Sequence, residues 1–174
     1  YPTDKKKRRA EVGLPPDMFI FGMISANKDI LPRKSFGQVL EAYAQFVKKY
    51  PNSLLYIHTN PDQQNGYQIK HHANMLGIGQ HLMFPDPYKW QFDTSKEEMN
   101  NIYNTFDCLL SPSSTEGFCI PVIEAQACGI PVIVNDYTSM PELIIEGETG
   151  YVTRIGCEHL MPIGSFMKFP DPED

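Results

Sequence analysis

The sequence predicts an α/β domain: a doubly wound parallel sheet with helices on both faces. Three observations predict it. Short apolar runs alternate along the chain with segments whose apolar residues recur at helical spacing. The runs carry the apolar character of strands buried on both faces. Fifteen prolines and twelve glycines in 174 residues cut the chain into many brief elements, which a long-helix bundle would not tolerate.

The elements follow in order. Residues 17–26 (DMFIFGMISA), between Pro15-Pro16 and Asn27, form the first buried strand. Phe36, Val39, Leu40, Tyr43, Phe46, Val47 and Tyr50 then mark one face of a helix that Pro51 ends. Strand followed by helix opens a βαβ unit. Residues 53–58 (SLLYIH) form the second strand, 68–76 a helix closed by Gly77, and 81–84 a short third strand before Pro85. A Thr94-Ser95 cap starts a helix from Lys96, with Met99, Ile102, Tyr103 and Phe106 on one face. It leads into the fourth strand at Cys108-Leu109-Leu110. A Ser/Thr/Gly loop, a helix over 121–128 stopped by Gly129, a fifth strand over 131–134, a helical turn over 141–145 and a sixth strand over 150–153 complete the series. The long segment holding Trp90 and Phe92 reads as loop, its rings either stacking on a ligand or covering the core.

Composition bounds the partners. A chain of this length buries enough surface to fold without disulfide staples. Cys108, Cys119, Cys128 and Cys157 are spaced by 11, 9 and 29 residues, which fits neither a zinc ribbon nor a CxxC redox pair, so four free thiols are expected. A formal charge of −6 argues against duplex nucleic acid as a partner. The exception is Lys5-Lys6-Lys7-Arg8-Arg9, read as a solvated linker or helix end within a basic connecting segment over residues 1–16. No apolar run approaches a membrane span and no signal pattern opens the chain, so a cytoplasmic protein is expected, with peripheral membrane contact left open. The chain starts at Tyr1 rather than Met, the expectation being a piece of something longer.

In open α/β sheets ligands sit at the carboxyl ends of the strands, where strand order reverses. That directs attention to three loops, over 25–34, 84–90 and 111–121. The last runs Ser111-Pro112-Ser113-Ser114-Thr115-Glu116-Gly117-Phe118-Cys119-Ile120-Pro121, with Pro121 suited to the first helical position. Gly117 and the amides after it can approach an anion closely. Glu116 in the loop and Glu124 in the helix would repel a phosphate unless they face hydroxyl groups, and a carboxylate against vicinal hydroxyls is the expected way to hold a sugar or ribose. Taken alone, Glu124 reads as a solvent-facing helix residue and Glu116 as an acid paired with the helix dipole. His71-His72 reads as a surface pair, because adjacent helix positions point apart.

The residues from Glu116 to Ala125 resemble the E-x7-E signature of the GT-B retaining glycosyltransferases, group 1, family 4. Ala127-Cys128-Gly129-Ile130-Pro131-Val132, Pro141-Glu142-Leu143-Ile144 and Gly147-Glu148-Thr149-Gly150-Tyr151-Val152 resemble segments that follow it in that family. Upstream, Phe21-Gly22-Met23-Ile24, with Lys34 seven residues before Glu41-Ala42-Tyr43, resembles its first strand and following helix. The series covers residues 17–153.

The resemblance implies a Rossmann-like domain that forms the C-terminal, donor-binding half of a two-domain enzyme, here residues 17–174, with the N-terminal acceptor domain and the closing C-terminal helices missing. It implies that Glu116 contacts the donor sugar, that the amides at Gly117, Phe118 and Cys119 receive sugar and phosphate oxygens, and that Glu124 binds the ribose. Lys34 matches the family's phosphate-binding lysine. Its basic partner is Lys28 or Arg33, Lys28 being favoured, because the loop carries an insertion. Cys119 stands where the family more often has Gly, and its side chain is expected to narrow the space around the phosphate. The base is expected against residues 83–85.

The implied donor is a UDP- or GDP-linked sugar, and the acceptor, whether sugar, lipid or protein, is open. No covalent cofactor and no divalent metal are expected. Stabilising the departing diphosphate and positioning the anomeric carbon are what such a transfer needs. The family retains anomeric configuration, and the isolated domain is expected to transfer sugar poorly by itself. Two alternatives stand beside this reading. A non-catalytic nucleotide-sugar-binding domain fits the same residues. A nicotinamide-dependent oxidoreductase would need G-x-G-x-x-G after the first strand, where only Gly22 occurs.

Overall fold

The computed structural model describes residues 1–28, 32–92, 94–162 and 164–174. Its centre is a six-stranded sheet made of β1 (Phe19–Ile24), β2 (Ser53–His58), β3 (Leu82–Met83), β4 (Cys108–Ser111), β5 (Val132–Asn135) and β6 (Gly150–Thr153), in the spatial order β3-β2-β1-β4-β5-β6. Every pairing is parallel, with Ile24 beside His58, Gly22 beside Leu109 and Leu110 beside Ile133. Strand order reverses between β1 and β4, so the crevice at their carboxyl ends is the place where the fold can hold a ligand.

Helices cover both faces. On one, α2 (Phe36–Lys49) buries Phe36, Val39, Leu40, Tyr43, Ala44 and Val47, and α3 (Ile69–Met75) buries Ile69 and Ala73. The predicted α2 stripe differs at its end. Ala44 is buried, whereas Phe46 is only half-buried and Tyr50, past the last turn, is exposed. On the other face lie α5 (Lys96–Tyr103), opened by a Ser95–Glu98 capping box, and α6 (Ile120–Ala127). They enclose Ile20, Tyr103, Phe106, Leu109, Val122, Val132 and Met140. Phe106 packs closely against β1 because Gly22 has no side chain, and a Cβ there would stand 2.2 Å from the ring.

Three features depart from the sequence reading. Residues 87–92, expected as loop, form the short helix α4 (Pro87–Phe92), with Trp90 half-buried; the Phe92 side chain lies outside what is described. A two-stranded antiparallel sheet, β7 (Ile155–Leu160) with β8 (Phe166–Pro170), follows β6. It is tied to the main sheet by Asn135, whose Nδ2 donates to the Lys168 carbonyl at 2.8 Å. The basic run is helical, one of its two expected readings, but not solvated throughout: Lys5–Glu11 form α1, capped by Asp4. Arg9 is buried there. It donates to the carbonyls of Thr105, Pro16 and Met18 and to the Asp107 carboxylate at 2.6 Å, while Lys5 reaches the other Asp107 oxygen at 2.8 Å. Asp107 also accepts from the Ile20 amide at 2.8 Å, so one carboxylate fastens α1 to the amino edge of the sheet, opposite the crevice.

Among the described residues no helix is long and apolar enough to cross a membrane. The four cysteines are free thiols, Cys108, Cys119 and Cys128 buried and Cys157 exposed.

Candidate functional site

Two loops leave the sheet at the switch point, one after β1 and one after β4. They are sewn together by Ser114, whose amide and hydroxyl both donate to the Arg33 carbonyl, at 2.6 and 3.1 Å. A third segment, after β5, grips the same loop. The Thr138 hydroxyl accepts from the Glu116 amide at 3.2 Å, and the Ser139 hydroxyl donates to the Glu116 carbonyl at 3.2 Å. Nothing in the sequence beyond local Ser/Thr richness marked Ser114, Thr138 or Ser139 for this part, because each acts across a long separation in the chain.

The stitching brings three charges together. Lys34 Nζ forms an ion pair with Glu116 Oε1, and Arg33 reaches the same oxygen at 3.4 Å. The side chains of Lys34 and Glu116 are 16% and 14% exposed, so the charges are weakly screened. Among the described residues, two cations face one carboxylate oxygen. Of the two candidate partners for Lys34, Arg33 is the one in this cluster. Lys28 is exposed, beyond the buried Asn27 that is bonded to Thr59, Asn60 and Tyr67, and none of its described contacts joins it to Glu116. Between the two candidates, Asp29, Ile30 and Leu31 lie outside the described residues.

After Glu116 the backbone turns into α6. Among the described residues none accepts a hydrogen bond from the amides of Gly117, Phe118 or Cys119. Cys119 sits in the left-handed region at φ 65°, ψ 64°, capping α6 without a side-chain hydrogen bond. Its side chain does not narrow the space above the loop as expected. It is turned into the core, with Sγ 3.2 Å from the Ser111 hydroxyl, and burial pushes the thiol pKa up. Gly117 has open space around the position of a Cβ, and Phe118 is exposed. Unpaired amides at the start of a helix, beside two cations, offer an anion a preformed cradle.

Glu124 lies on α6, exposed, with Oε2 accepting from the Tyr103 hydroxyl at 2.6 Å. Tyr103 is buried, and burial, followed by the Glu124 hydrogen bond, drives its pKa far above the usual phenol value, so it stays a donor. His58 also ends at this edge. It is buried at the last position of β2, beside Ile24, its Nδ1 3.2 Å from the Tyr56 hydroxyl, and burial lowers its pKa to about 4. Among the described residues no group of three or more His, Cys, Asp or Glu is placed to hold a metal ion.

Comparison with known proteins agrees with this geometry. The family described as glycosyl transferases group 1 matches residues 4–158. The D-inositol 3-phosphate glycosyltransferase of Mycolicibacterium smegmatis is 30% identical over 152 residues, which are 86% of this chain and 32% of that protein. The chain spans about a third of the length of the curated relatives it matches. Among solved structures, the C-terminal domain of a group 1 family protein (LpcC) from Francisella tularensis superposes with a TM-score of 0.71 at 23% identity, over 88% of this chain and 76% of that one. Anabaena HepE, solved with UDP-glucose, gives 0.70 at 21% identity, over 90% and 40%. These likenesses show the fold, the Rossmann-like C-terminal half of a GT-B glycosyltransferase. With the family match running through the first strand, the switch-point loops and both glutamates, the chain belongs to the glycosyl transferases group 1.

Proposed function

We propose that this domain binds a nucleoside-diphosphate sugar and, facing an acceptor domain, transfers the sugar to an acceptor hydroxyl with retention of configuration, as in family 4. The observation that carries the reading is the convergence of Arg33 and Lys34 on Glu116 at the switch point, immediately before three backbone amides, 117–119, that find no acceptor among the described residues. HepE, of the same fold, was solved with UDP and with UDP-glucose.

In this reading Lys34, Arg33 and the amides of Gly117, Phe118 and Cys119 receive the diphosphate, Glu116 accepts from donor-sugar hydroxyls, and Glu124 accepts from the ribose. The diphosphate departs with the electron pair of the anomeric C–O bond. The cations and the α6 dipole stabilise the charge that develops on it. The acceptor oxygen bonds to the anomeric carbon on the face the diphosphate leaves, and its proton passes to the departing phosphate oxygen. No metal is assigned to this step, because the positive charge it requires comes from side chains and amides.

Calorimetric titration of the chain with UDP, GDP and ADP tests the site. One of them is expected to bind and to lose at least about tenfold in affinity in Glu124→Ala. Binding of none, or binding indifferent to Glu124→Ala, overturns the assignment. Binding without transfer by the full-length protein would favour a non-catalytic nucleotide-sugar-binding domain.

A further inference from the structure

We infer that Tyr103 is a positioning residue for the nucleotide: its buried hydroxyl holds the Glu124 carboxylate in the one orientation that receives the ribose hydroxyls. The inference rests on the donor-site reading and adds to it a residue from a different element, α5. Tyr103 is 2% exposed, and its ring meets Phe106 edge-on, with centroids 6.2 Å apart and planes at 76°. A ring locked in a close-packed core cannot swing to follow a surface carboxylate. The surface carboxylate must come to it.

Glu124 would otherwise be a long, exposed helix side chain with several rotamers of similar energy. The bond of 2.6 Å to Oε2 is a charge-assisted contact from a fixed donor, and it leaves Oε1 to accept from a ligand. Fixing the side chain before the nucleotide arrives removes an ordering cost that binding would otherwise bear, worth roughly two- to tenfold in affinity. The hydroxyl keeps its proton, because burial and the neighbouring carboxylate both oppose ionisation. Tyr103 therefore acts as a donor to Glu124 and has no contact with the substrate itself.

Tyr103→Phe keeps the ring that fills the core and removes only the hydroxyl, so the test reads positioning apart from packing. The chain is titrated calorimetrically with UDP, GDP and ADP and with the 2′-deoxy form of each. The parent is expected to prefer its ribonucleotide over the deoxy form by about tenfold. In Tyr103→Phe the ribonucleotide weakens about three- to tenfold and the deoxy form, which keeps only its 3′-hydroxyl for Glu124, weakens less, so that most of the preference is lost. Glu124→Gln removes the preference, and adding Tyr103→Phe to it changes nothing further. A packing role would weaken both nucleotides equally. Retention of the full preference in Tyr103→Phe, together with its loss in Glu124→Gln, overturns this inference and leaves the donor site standing. Binding of no nucleotide by the parent overturns both.

Discussion

Lys34 and Glu116 form an ion pair across the crevice where the sheet reverses its strand order, and Arg33 approaches the same carboxylate oxygen. In the proposed donor site these partners take different parts of one ligand, the cations the diphosphate and the carboxylate a sugar hydroxyl. Glu116 thus occupies the cations that a diphosphate needs. Glu116→Gln is expected to tighten binding of inorganic pyrophosphate several-fold, because the competing charge is gone. It should also weaken the extra affinity of a nucleotide-sugar over its nucleoside diphosphate. Lys34→Ala should weaken all three ligands roughly 10- to 100-fold, as loss of a charged hydrogen bond does. Competition calorimetry with the three ligands on each of the two variants checks the opposite signs.

Stability should fall between pH 6.5 and about 4 through His58. Burial lowers its folded pKa to about 4 from 6.5, so the folded state resists the proton that the unfolded chain accepts. The contribution is complete above pH 6.5 and is lost as pH falls towards 4, on the order of 2–3 kcal/mol. His58 faces the Tyr56 hydroxyl, which stays protonated over this range. Urea unfolding at pH 7 and 4.5 should show this drop in the parent, and a flatter profile in His58→Gln.

Asp107 acts in a lower window. Burial raises its pKa, but hydrogen bonds from Lys5, the Ile20 amide and Arg9, with the charge of Arg9, outweigh it and the net shift is downward from 3.8. Its stabilisation is present above pH 3.8 and is lost as pH falls through the depressed folded value. At pH 7 Asp107→Asn should cost about 3 kcal/mol, because it leaves the buried Arg9 without its carboxylate. The gap from the parent should close in strong acid, and denaturant melts at pH 7 and pH 3 measure it.

Ser35, just before α2, has φ 54° and ψ 33°, is fully buried, and its hydroxyl has no partner among the described residues. A left-handed conformation and an unsatisfied hydroxyl both cost free energy. Ser35→Gly removes both and is expected to stabilise the chain by about 1 kcal/mol, or roughly 2–4 °C in thermal midpoint. An unchanged or lower midpoint in calorimetric melting would give the hydroxyl a structural role.

The sheet and its flanking helices were legible in the sequence because each buried face leaves a local periodicity. Val39, Leu40, Tyr43 and Val47 announce α2, and the Thr94-Ser95 cap with Met99, Ile102 and Tyr103 announces α5. The β7–β8 pair was not legible. Strand β7 is exposed along nearly its whole length, so no burial pattern marks Cys157, Glu158 or His159 as strand. Arg9 misled for a related reason: a cation run looks solvated, and only Asp107, 98 residues away, makes its burial possible. At the site, the spacing of Glu116 and Glu124 directed attention to the loop after β4 and to α6. The choice of Arg33 as the cation beside Glu116 depends on how Ser114 ties two distant loops together, and the inward turn of Cys119 depends on Ser111. Neither relation has a local signature.

The most direct measurement is a crystal structure of the chain with the nucleoside diphosphate it binds most tightly. The β-phosphate should lie within hydrogen-bonding distance of Lys34 and of amides from Gly117 to Cys119, with the ribose on Glu124 and Tyr103 still bonded to that carboxylate. A nucleotide seated elsewhere, or one whose diphosphate leaves the Lys34–Glu116 pair untouched, would contradict the donor site.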